Sequence, residues 1–159
     1  MERPKPKAPK MKPLIVVRTQ IVDPSSGRFL LCQRVDTGQW EFPGGKIDPR
    51  EDLTAAALRE VKEETKAEII LTSPFAIFER RILGPKPGKQ HLTGLLRISH
   101  IATAELVSDP SALRRDPHEV AAIRWCHKED MSGFRLRQEM SNILALTAQI
   151  ELGQMALAA

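Results

Sequence analysis

The sequence lacks the features that mark membrane, secreted and disulfide-stabilised proteins. Its 159 residues include only two cysteines, and charged side chains make up 28% of the chain. No apolar run approaches the roughly 18 residues that a membrane-spanning helix needs. The lysines near the N-terminus are not followed by the apolar segment of a secretory signal. We therefore expect a cytoplasmic protein without membrane association.

The two cysteines stand apart, each in apolar surroundings, in the segments LLCQR and RWCHK. Their separation and the expected compartment give no reason to predict a disulfide. None of the four histidines is spaced with them as zinc ligands would be. We interpret Cys32 and Cys126 as structural residues. The chain also contains no internal repeat.

The basic character of the chain is confined to one end. The net charge is +4, and the segment MERPKPKAPKMKP has five basic residues and one acidic residue, which leaves 19 basic and 19 acidic side chains in residues 14–159. A segment so rich in proline and lysine cannot bury apolar surface, so residues 1–13 are predicted to be a disordered tail. A solubilising role is the favoured interpretation. Contact with RNA, an acidic partner or a membrane surface is the alternative, and any nucleic-acid binding is expected only through this tail.

Hydrophobic patterning predicts a single α/β domain over residues 14–152, followed by a short tail, 153–159. The predicted helices cover residues 53–65 and 134–152. A long connection, residues 102–117, precedes the last strand and has a length that is often functional. Strands are predicted at residues 14–22, 28–34, 40–43, 68–72, 75–83, 91–101 and 120–126.

The first helix carries three carboxylates on one arc. At 100° per residue, Glu60, Glu63 and Glu64 fall together, whereas small and apolar residues occupy the arc that faces a core. Neither Glu60 nor Glu64 has a basic residue three or four positions away, so their mutual repulsion is uncompensated. Such a cluster is typical of a site for a hard divalent cation. The alternative is a solvated charged face, in which Glu63 pairs with Arg59 or Lys66.

A longer pattern surrounds these carboxylates. Gly45 is followed after five residues by Glu51, and after seven more by the run Arg59-Glu60-Val61-x-Glu63-Glu64. This resembles the Nudix box, G-x5-E-x7-R-E-U-x-E-E-x-G-U, of the Nudix (MutT-type) hydrolases. The preceding WEFPGGK resembles the lead-in of members that act on nucleoside triphosphates. The chain departs from the pattern at Lys66 and Ala67, which replace glycine and a bulky aliphatic residue, and at Arg50, where many members have glycine.

The resemblance implies a Nudix α/β/α sandwich, with a mixed β-sheet between helices. It implies that Mg²⁺ or Mn²⁺ is bound by Glu60, Glu63, Glu64 and a main-chain carbonyl, at Gly45 or its neighbour Gly44. It implies further that Glu51 and Arg59 form an ion pair that orients the acids. It also favours Asp52 as the N-cap of the helix, although Asp48-Pro49-Arg50-Glu51 reads as a capping box. Lys66 then puts the C-terminal end of the helix in question, because glycine usually occupies a left-handed cap.

Other residues are candidates for catalysis and substrate binding. The general base is Glu119, at the end of the long connection, or else Glu63 or Glu64. Arg34 matches an arginine that contacts phosphates in MutT-type enzymes, and Lys46 is a second candidate. Trp40 and Phe42 either line a base pocket or pack in the core, and the sequence does not decide between these two interpretations. The loop Gly84–Gln90 is either a phosphate-contacting basic loop or a solvated hairpin loop.

Three functions are consistent with the sequence. The first is a Mg²⁺-dependent pyrophosphohydrolase that converts a nucleoside triphosphate to the monophosphate and pyrophosphate, as in nucleotide-pool sanitation. The second is a hydrolase of dinucleoside polyphosphates or of RNA 5′ ends, which the basic tail would assist. The third is a non-catalytic Nudix-like nucleotide-binding module. We expect a nucleotide substrate and a monomer or homodimer.

Overall fold

The computed structural model describes residues 11–158, which form a mixed β-sheet with helices on both faces. Three short 3₁₀ segments, Gln90–Leu92, Pro110–Ala112 and Lys128–Gly133, lie in the connections. The two helices are α1 (Leu53–Thr65) and α2 (Glu139–Ala158). The eight strands are β1 (Leu14–Val22), β2 (Phe29–Arg34), β3 (Trp40–Glu41), β4 (Gly44–Lys46), β5 (Ile69–Leu71), β6 (Ala76–Ile82), β7 (Leu96–Leu106) and β8 (Val120–Cys126).

Strand β1 lies at the centre of the sheet. It pairs in parallel with β7, from Leu14 opposite Arg97 to Val22 opposite Glu105, and the other pairings between these strands are antiparallel. An isolated parallel bridge joins Trp40 to Leu136. The main path through the sheet is β3-β2-β1-β7-β5. Strand β4 pairs with β1, β6 with β7, and β8 with β2.

The core has two layers, one on each face of the sheet, and two consecutive residues of β2 each contact one of them. Leu30 packs with Val61 of α1, whereas Leu31 packs with Met140 and Ile143 of α2. Successive side chains of a strand point to opposite faces, so the two helices cover opposite sides of the sheet. This confirms the predicted α/β/α sandwich. Among residues 11–158, no helix is long and apolar enough to cross a membrane.

The predicted bounds of β1, β8 and α1 are confirmed, the strand predicted at 40–43 ends at Glu41, and the predicted bounds of β7 and α2 are wrong. Strand β7 begins at Leu96 instead of residue 91, because Gln90–Leu92 forms a 3₁₀ turn and Gly94 has φ 85°. It then continues to Leu106, which shortens the connection before β8. Helix α2 begins at Glu139 instead of residue 134 and runs to Ala158, beyond the predicted end at 152. Phe134 instead packs edge-to-face on Trp40, with ring centroids 5.1 Å apart.

The ends of α1 follow the sequence closely. The Asp52 side chain accepts a hydrogen bond from the Ala55 N–H at 2.7 Å, which makes Asp52 the N-cap. Lys66 is the C-cap and adopts the left-handed conformation, with φ 60°. The lysine therefore takes the backbone geometry that glycine adopts more readily. The predicted disordered tail falls largely on residues 1–10, which lie outside the described residues, and it stays a prediction.

Candidate active site

Two glycines bring the acidic helix close to the central strand. Gly44 and Gly45 belong to β4, a strand that the sequence did not predict, and they pair with Arg18 and Val17 of β1. A Cβ on Gly44 would lie 2.0 Å from the Val17 carbonyl oxygen, and the φ of Gly44 is 153°. A Cβ on Gly45 would lie 2.5 Å from Glu60 Oε1. A side chain at position 44 would therefore meet backbone that cannot move aside, whereas a side chain at position 45 would displace the end of the Glu60 side chain.

The carboxylates of α1 occupy two different environments. Glu60 and Glu64 are buried, with 8% and 7% of their surface exposed, whereas Glu63 is exposed. The Gly44 N–H donates to Glu64 Oε2 at 3.2 Å. Burial raises the pKa of Glu64 to about 8, although the Arg18 charge acts in the opposite direction. Burial also raises the pKa of Glu60, and the nearby charges of Glu63 and Glu119 add to this effect. These two acids therefore lie where positive charge would stabilise them.

Arg59 joins the helix to the loop before it, as the predicted ion pair requires. Its guanidinium donates to both oxygens of Glu51, at 2.5 and 2.9 Å, and this contact lowers the pKa of Glu51 to about 2. The same side chain donates to Glu60 at 3.0 Å, to Glu63 at 3.2 Å and to the Lys46 carbonyl at 3.1 Å. One arginine thus holds the loop and two of the candidate metal ligands in place.

The donor set fits a hard divalent cation by its chemistry. It offers two buried carboxylates of raised pKa, an exposed third within one helical turn, and main chain that can approach closely at the glycines. Within the described chain, no three carboxylate, imidazole or thiolate groups converge as they do around a bound ion. Glu60 and Glu63 instead contact Arg59, and Glu64 contacts the Gly44 N–H.

A cavity of about 810 Å³ adjoins these acids. Arg34, Lys46 and Glu119 line it together with Glu60, Glu63 and Glu64. The structure thus brings the phosphate-binding candidates and the candidate bases to one place. Part of the hydrogen-bonding capacity of Arg34 is already used, because its guanidinium donates to Asp36 at 2.7 and 2.9 Å and to Glu41 at 3.2 Å.

Trp40 and Phe42 do not line this cavity. Phe42 is fully buried and lies 6.3 Å from the Phe29 ring in an edge-to-face arrangement. Trp40 packs on Phe134 in the same core cluster, between the sheet and α2. The sequence is compatible with a base pocket or with core packing, and the structure supports core packing for both aromatic residues.

An ion network that the sequence did not predict forms part of the cavity wall, since Arg18, Glu41, Arg97 and Arg137 line the cavity. Arg18, only 3% exposed, donates to Glu41 at 3.1 Å and to the Gly44 carbonyl at 3.0 Å, and its Nε lies 3.0 Å from Glu139 Oε1. Arg97 pairs with Glu139 at 2.9 Å, and Arg137 pairs with Glu41 at 2.8 Å. Burial raises the pKa of Glu41, but Arg18, Arg137 and Arg34 outweigh it and lower the pKa overall. The signal in the sequence was Arg18 itself, a charge in the middle of the apolar strand LIVVRTQIV.

Comparison with known proteins gives one family. The model of the NUDIX domain matches residues 13–147. The CTP pyrophosphohydrolase of Escherichia coli K12 is 31% identical over 114 residues, which cover 69% of this chain and 74% of that protein. A Bacillus subtilis protein, whose name gives 8-oxo-dGTP diphosphatase as a provisional activity, is 38% identical over 73 residues, 45% of this chain and 46% of that protein. The match to the Bacillus protein thus spans less than half of its length. The crystal structure of a MutT protein from Methanosarcina mazei shares the fold, with a TM-score of 0.66, 24% identity and coverage of 88% of this chain and 96% of that one.

Proposed function

Because the chain belongs to the Nudix hydrolase family, we propose that it cleaves a phosphoanhydride bond of a nucleoside triphosphate and releases the monophosphate and pyrophosphate. The observation that carries this proposal is the buried pair Glu60 and Glu64, held against the glycines of β4 at the edge of a cavity. Two relatives support a triphosphate substrate, since one is named for CTP and another for 8-oxo-dGTP. A role in clearing damaged or non-standard nucleotides is consistent with those names.

Glu60, Glu63, Glu64 and a carbonyl at Gly44 or Gly45 would hold Mg²⁺, or alternatively Mn²⁺. When bound, such an ion neutralises phosphate charge and makes water a better nucleophile at neutral pH. Arg59 fixes the orientation of Glu60 and Glu63 and is itself fixed by Glu51. In metal sites, supporting contacts of this kind are typically worth 10- to 100-fold in affinity or activity.

Arg34 and Lys46 line the cavity and supply positive charge for phosphate oxygens. The general base is Glu119 or one of the helix acids, Glu63 or Glu64, and all three line the cavity. A base must come within hydrogen-bonding reach of the water it activates. Glu119→Gln tests the one candidate that is not also a proposed metal ligand: a loss of kcat with unchanged Mg²⁺ affinity identifies Glu119, and an unchanged kcat leaves Glu63 or Glu64.

Glu64→Gln tests the enzymatic role. We expect the variant to lose at least about 100-fold in Mg²⁺-dependent turnover, because a neutral amide is a poor ligand for a hard cation. The matched control is Glu68→Gln, since Glu68 is exposed, pairs with Lys62 at 2.9 Å and does not line the cavity. Incubating the wild type with nucleotides, sugar nucleotides and dinucleotides in turn, and separating the products by chromatography, identifies the substrates, because cleavage to a monophosphate and pyrophosphate releases no inorganic phosphate. A wild-type protein that binds nucleotides without turning any over would instead be the non-catalytic binding module.

Removing residues 1–13 separates the first proposal from hydrolysis of RNA 5′ ends or dinucleoside polyphosphates. Their basic side chains would attract an extended polyanion and would matter less for a free nucleotide. We expect the truncated protein to keep its turnover of nucleoside triphosphates. A large loss of that turnover would favour the alternative substrates.

A further inference from the structure

The connection between β7 and β8 contains the dipeptide Asp-Pro twice, as Asp109-Pro110 and as Asp116-Pro117. In both cases the aspartate side chain accepts a hydrogen bond from the main-chain N–H two residues later, from Ser111 at 2.8 Å and from His118 at 3.0 Å. An aspartate that bonds in this way, followed by a proline whose ring fixes φ, favours a tight turn. The two turns share this local chemistry and differ in what surrounds them.

The second turn is joined to the C-terminal end of α1. The Asp116 N–H donates to the Glu64 carbonyl at 3.0 Å, and the Arg114 N–H donates to the Thr65 carbonyl at 2.9 Å. The last carbonyls of a helix have no partner within the helix, and here the connection supplies one for each of these two. The main chain of Asp116 is therefore bonded directly to the main chain of a candidate metal ligand.

Asp116 also determines where the main chain of Glu119 lies. The Asp116 carbonyl accepts hydrogen bonds from the Glu119 N–H at 3.2 Å and from the Val120 N–H at 2.8 Å. Asparate at the first position and Pro117 at the second are the preferred residues of such a four-residue turn. On its other side, the Glu119 carbonyl accepts from the Val35 N–H at 3.1 Å, just after β2. Glu119 has an exposed side chain, but its main chain is fixed between α1 and β2.

The second turn places Glu119 at the cavity, and the first turn lies elsewhere. His118 and Glu119 line the cavity, whereas Asp116 does not. Burial raises the pKa of Glu60 and the charge of Glu119 adds to this effect, so the two carboxylates lie close to each other. Asp109 instead caps the 3₁₀ segment Pro110–Ala112, which is outside the cavity lining. The first turn is therefore a matched control for the second.

We propose that Asp116 is a positioning residue, which holds the Glu119 carboxylate in a fixed place beside the acids of α1. The inference rests on the proposed function, and it requires that Glu119 takes part in the reaction. The side chain of Asp116 keeps the turn closed through the His118 N–H, and its main chain ties the turn to Glu64. A displacement of about 1 Å costs a reacting group much of its effect on rate, so the turn controls kcat and leaves substrate binding unchanged.

Three single variants test this role through kcat and KM for a nucleoside triphosphate. Asp116→Ala removes the side-chain acceptor, Asp116→Asn keeps it, and Asp109→Ala removes the equivalent acceptor from the first turn. We expect kcat to fall about 10-fold in Asp116→Ala, with KM within about twofold of the wild type. Asp116→Asn and Asp109→Ala should each keep kcat within about twofold. Adding Asp116→Ala to Glu119→Gln should cause no further loss, because both changes act on one carboxylate.

An unchanged kcat in Asp116→Ala, equal losses in Asp116→Ala and Asp116→Asn, or additive losses in the double variant would each overturn the proposal. Hydrogen exchange of the His118 amide, followed by NMR, gives a readout that does not depend on turnover. We expect it to be about 10-fold faster in Asp116→Ala, and an unchanged exchange rate would contradict the proposal even if kcat falls. Faster exchange in a protein that turns over no nucleotide would refute the proposed function and still support the role of Asp116 in holding the turn. Monophosphate and pyrophosphate produced at equal rates by Asp116→Ala and Asp109→Ala would refute only the positioning role.

Discussion

At the scale of single residues, Gly44 and Gly45 control how closely the acidic helix approaches the central strand. The two positions tolerate a side chain differently. A Cβ at position 44 meets backbone at 2.0 Å, which cannot move cheaply, whereas a Cβ at position 45 meets the end of the Glu60 side chain. Gly44 therefore serves the fold, and Gly45 serves the placement of one carboxylate.

We predict that Gly45→Ala displaces the Glu60 carboxylate and weakens Mg²⁺ binding by about 10-fold. The loss of stability should stay within about 1–3 kcal/mol, the usual cost of overpacking. A Mg²⁺ titration of activity and urea unfolding measure the two effects. Gly133→Ala is the control, since a Cβ added at Gly133 meets no atom within 4 Å and the position does not line the cavity. Equal Mg²⁺ affinity in wild type and Gly45→Ala would contradict the role assigned to Glu60.

The buried Glu64 carboxyl group lowers the stability of the folded protein when no metal is bound. It is buried, accepts one hydrogen bond from the Gly44 N–H, and has a strongly raised pKa. We predict that, at neutral pH and in the presence of a chelator, Glu64→Gln unfolds at higher urea concentration than the wild type, with a gain of about 1–3 kcal/mol. Because its pKa is raised to about 8, Glu64 must take up a proton when the protein folds at that pH, and an amide avoids this cost. Glu68→Gln should change stability by less than about 0.5 kcal/mol. A Glu64→Gln variant less stable than the wild type would show that this carboxylate is already compensated.

At the scale of elements, the C-terminal end of α1 retains a small strain at Lys66. We predict that Lys66→Gly stabilises the protein by about 1 kcal/mol, because glycine adopts the left-handed cap without the penalty of a side chain. Activity should not change, since Lys66 does not line the cavity. Thermal unfolding and kcat together check this, and a destabilised variant would contradict the cap assignment.

The ion network joins β1, β3 and the start of α2. We predict that Glu41→Gln destabilises the protein at neutral pH by about 3 kcal/mol, because buried Arg18 loses a partner. The pKa of Glu41 is lowered by folding, so its stabilisation exists above the ordinary carboxyl pKa and disappears as pH falls through the lowered value. The difference in the free energy of unfolding between the wild type and Glu41→Gln, measured with urea, should therefore become smaller as the pH is lowered. A gap of constant size down to about pH 3 would mean that the charge of Glu41 is not responsible.

The sequence predicts best those elements whose first and last residues are determined by their neighbours in the chain. Helix α1 has helical spacing and a capping aspartate, and β1 has an apolar β-branched run that stops at an Asp-Pro turn. Strand β4 was missed because Gly44-Gly45-Lys46 has little intrinsic strand preference and is held by its pairing with β1. The start of α2 was misplaced because Leu136 has helical spacing with Met140, whereas Phe134 and Leu136 are held by contacts with Trp40, on a distant strand.

At the scale of the whole molecule, the cavity combines parts that are far apart in sequence. The spacing of the Nudix box was enough to predict the acids of α1 and the Glu51–Arg59 pair, because these residues lie on one helix and its adjoining loop. The arginine network depends on how β1, β3, β7 and α2 come together. No spacing in the sequence encodes those contacts, which is why Glu41 and Glu139 were not predicted.

The central claim is that this chain hydrolyses nucleoside triphosphates to the monophosphate and pyrophosphate at the site formed by α1 and β4. The most direct measurement is the identity of the products when the full chain is incubated with a triphosphate and Mg²⁺, with Glu64→Gln in parallel. We predict equal amounts of nucleoside monophosphate and pyrophosphate from the wild type, and at least about 100-fold less of both from Glu64→Gln. Release of a nucleoside diphosphate and inorganic phosphate, or unchanged turnover by Glu64→Gln, would contradict the claim.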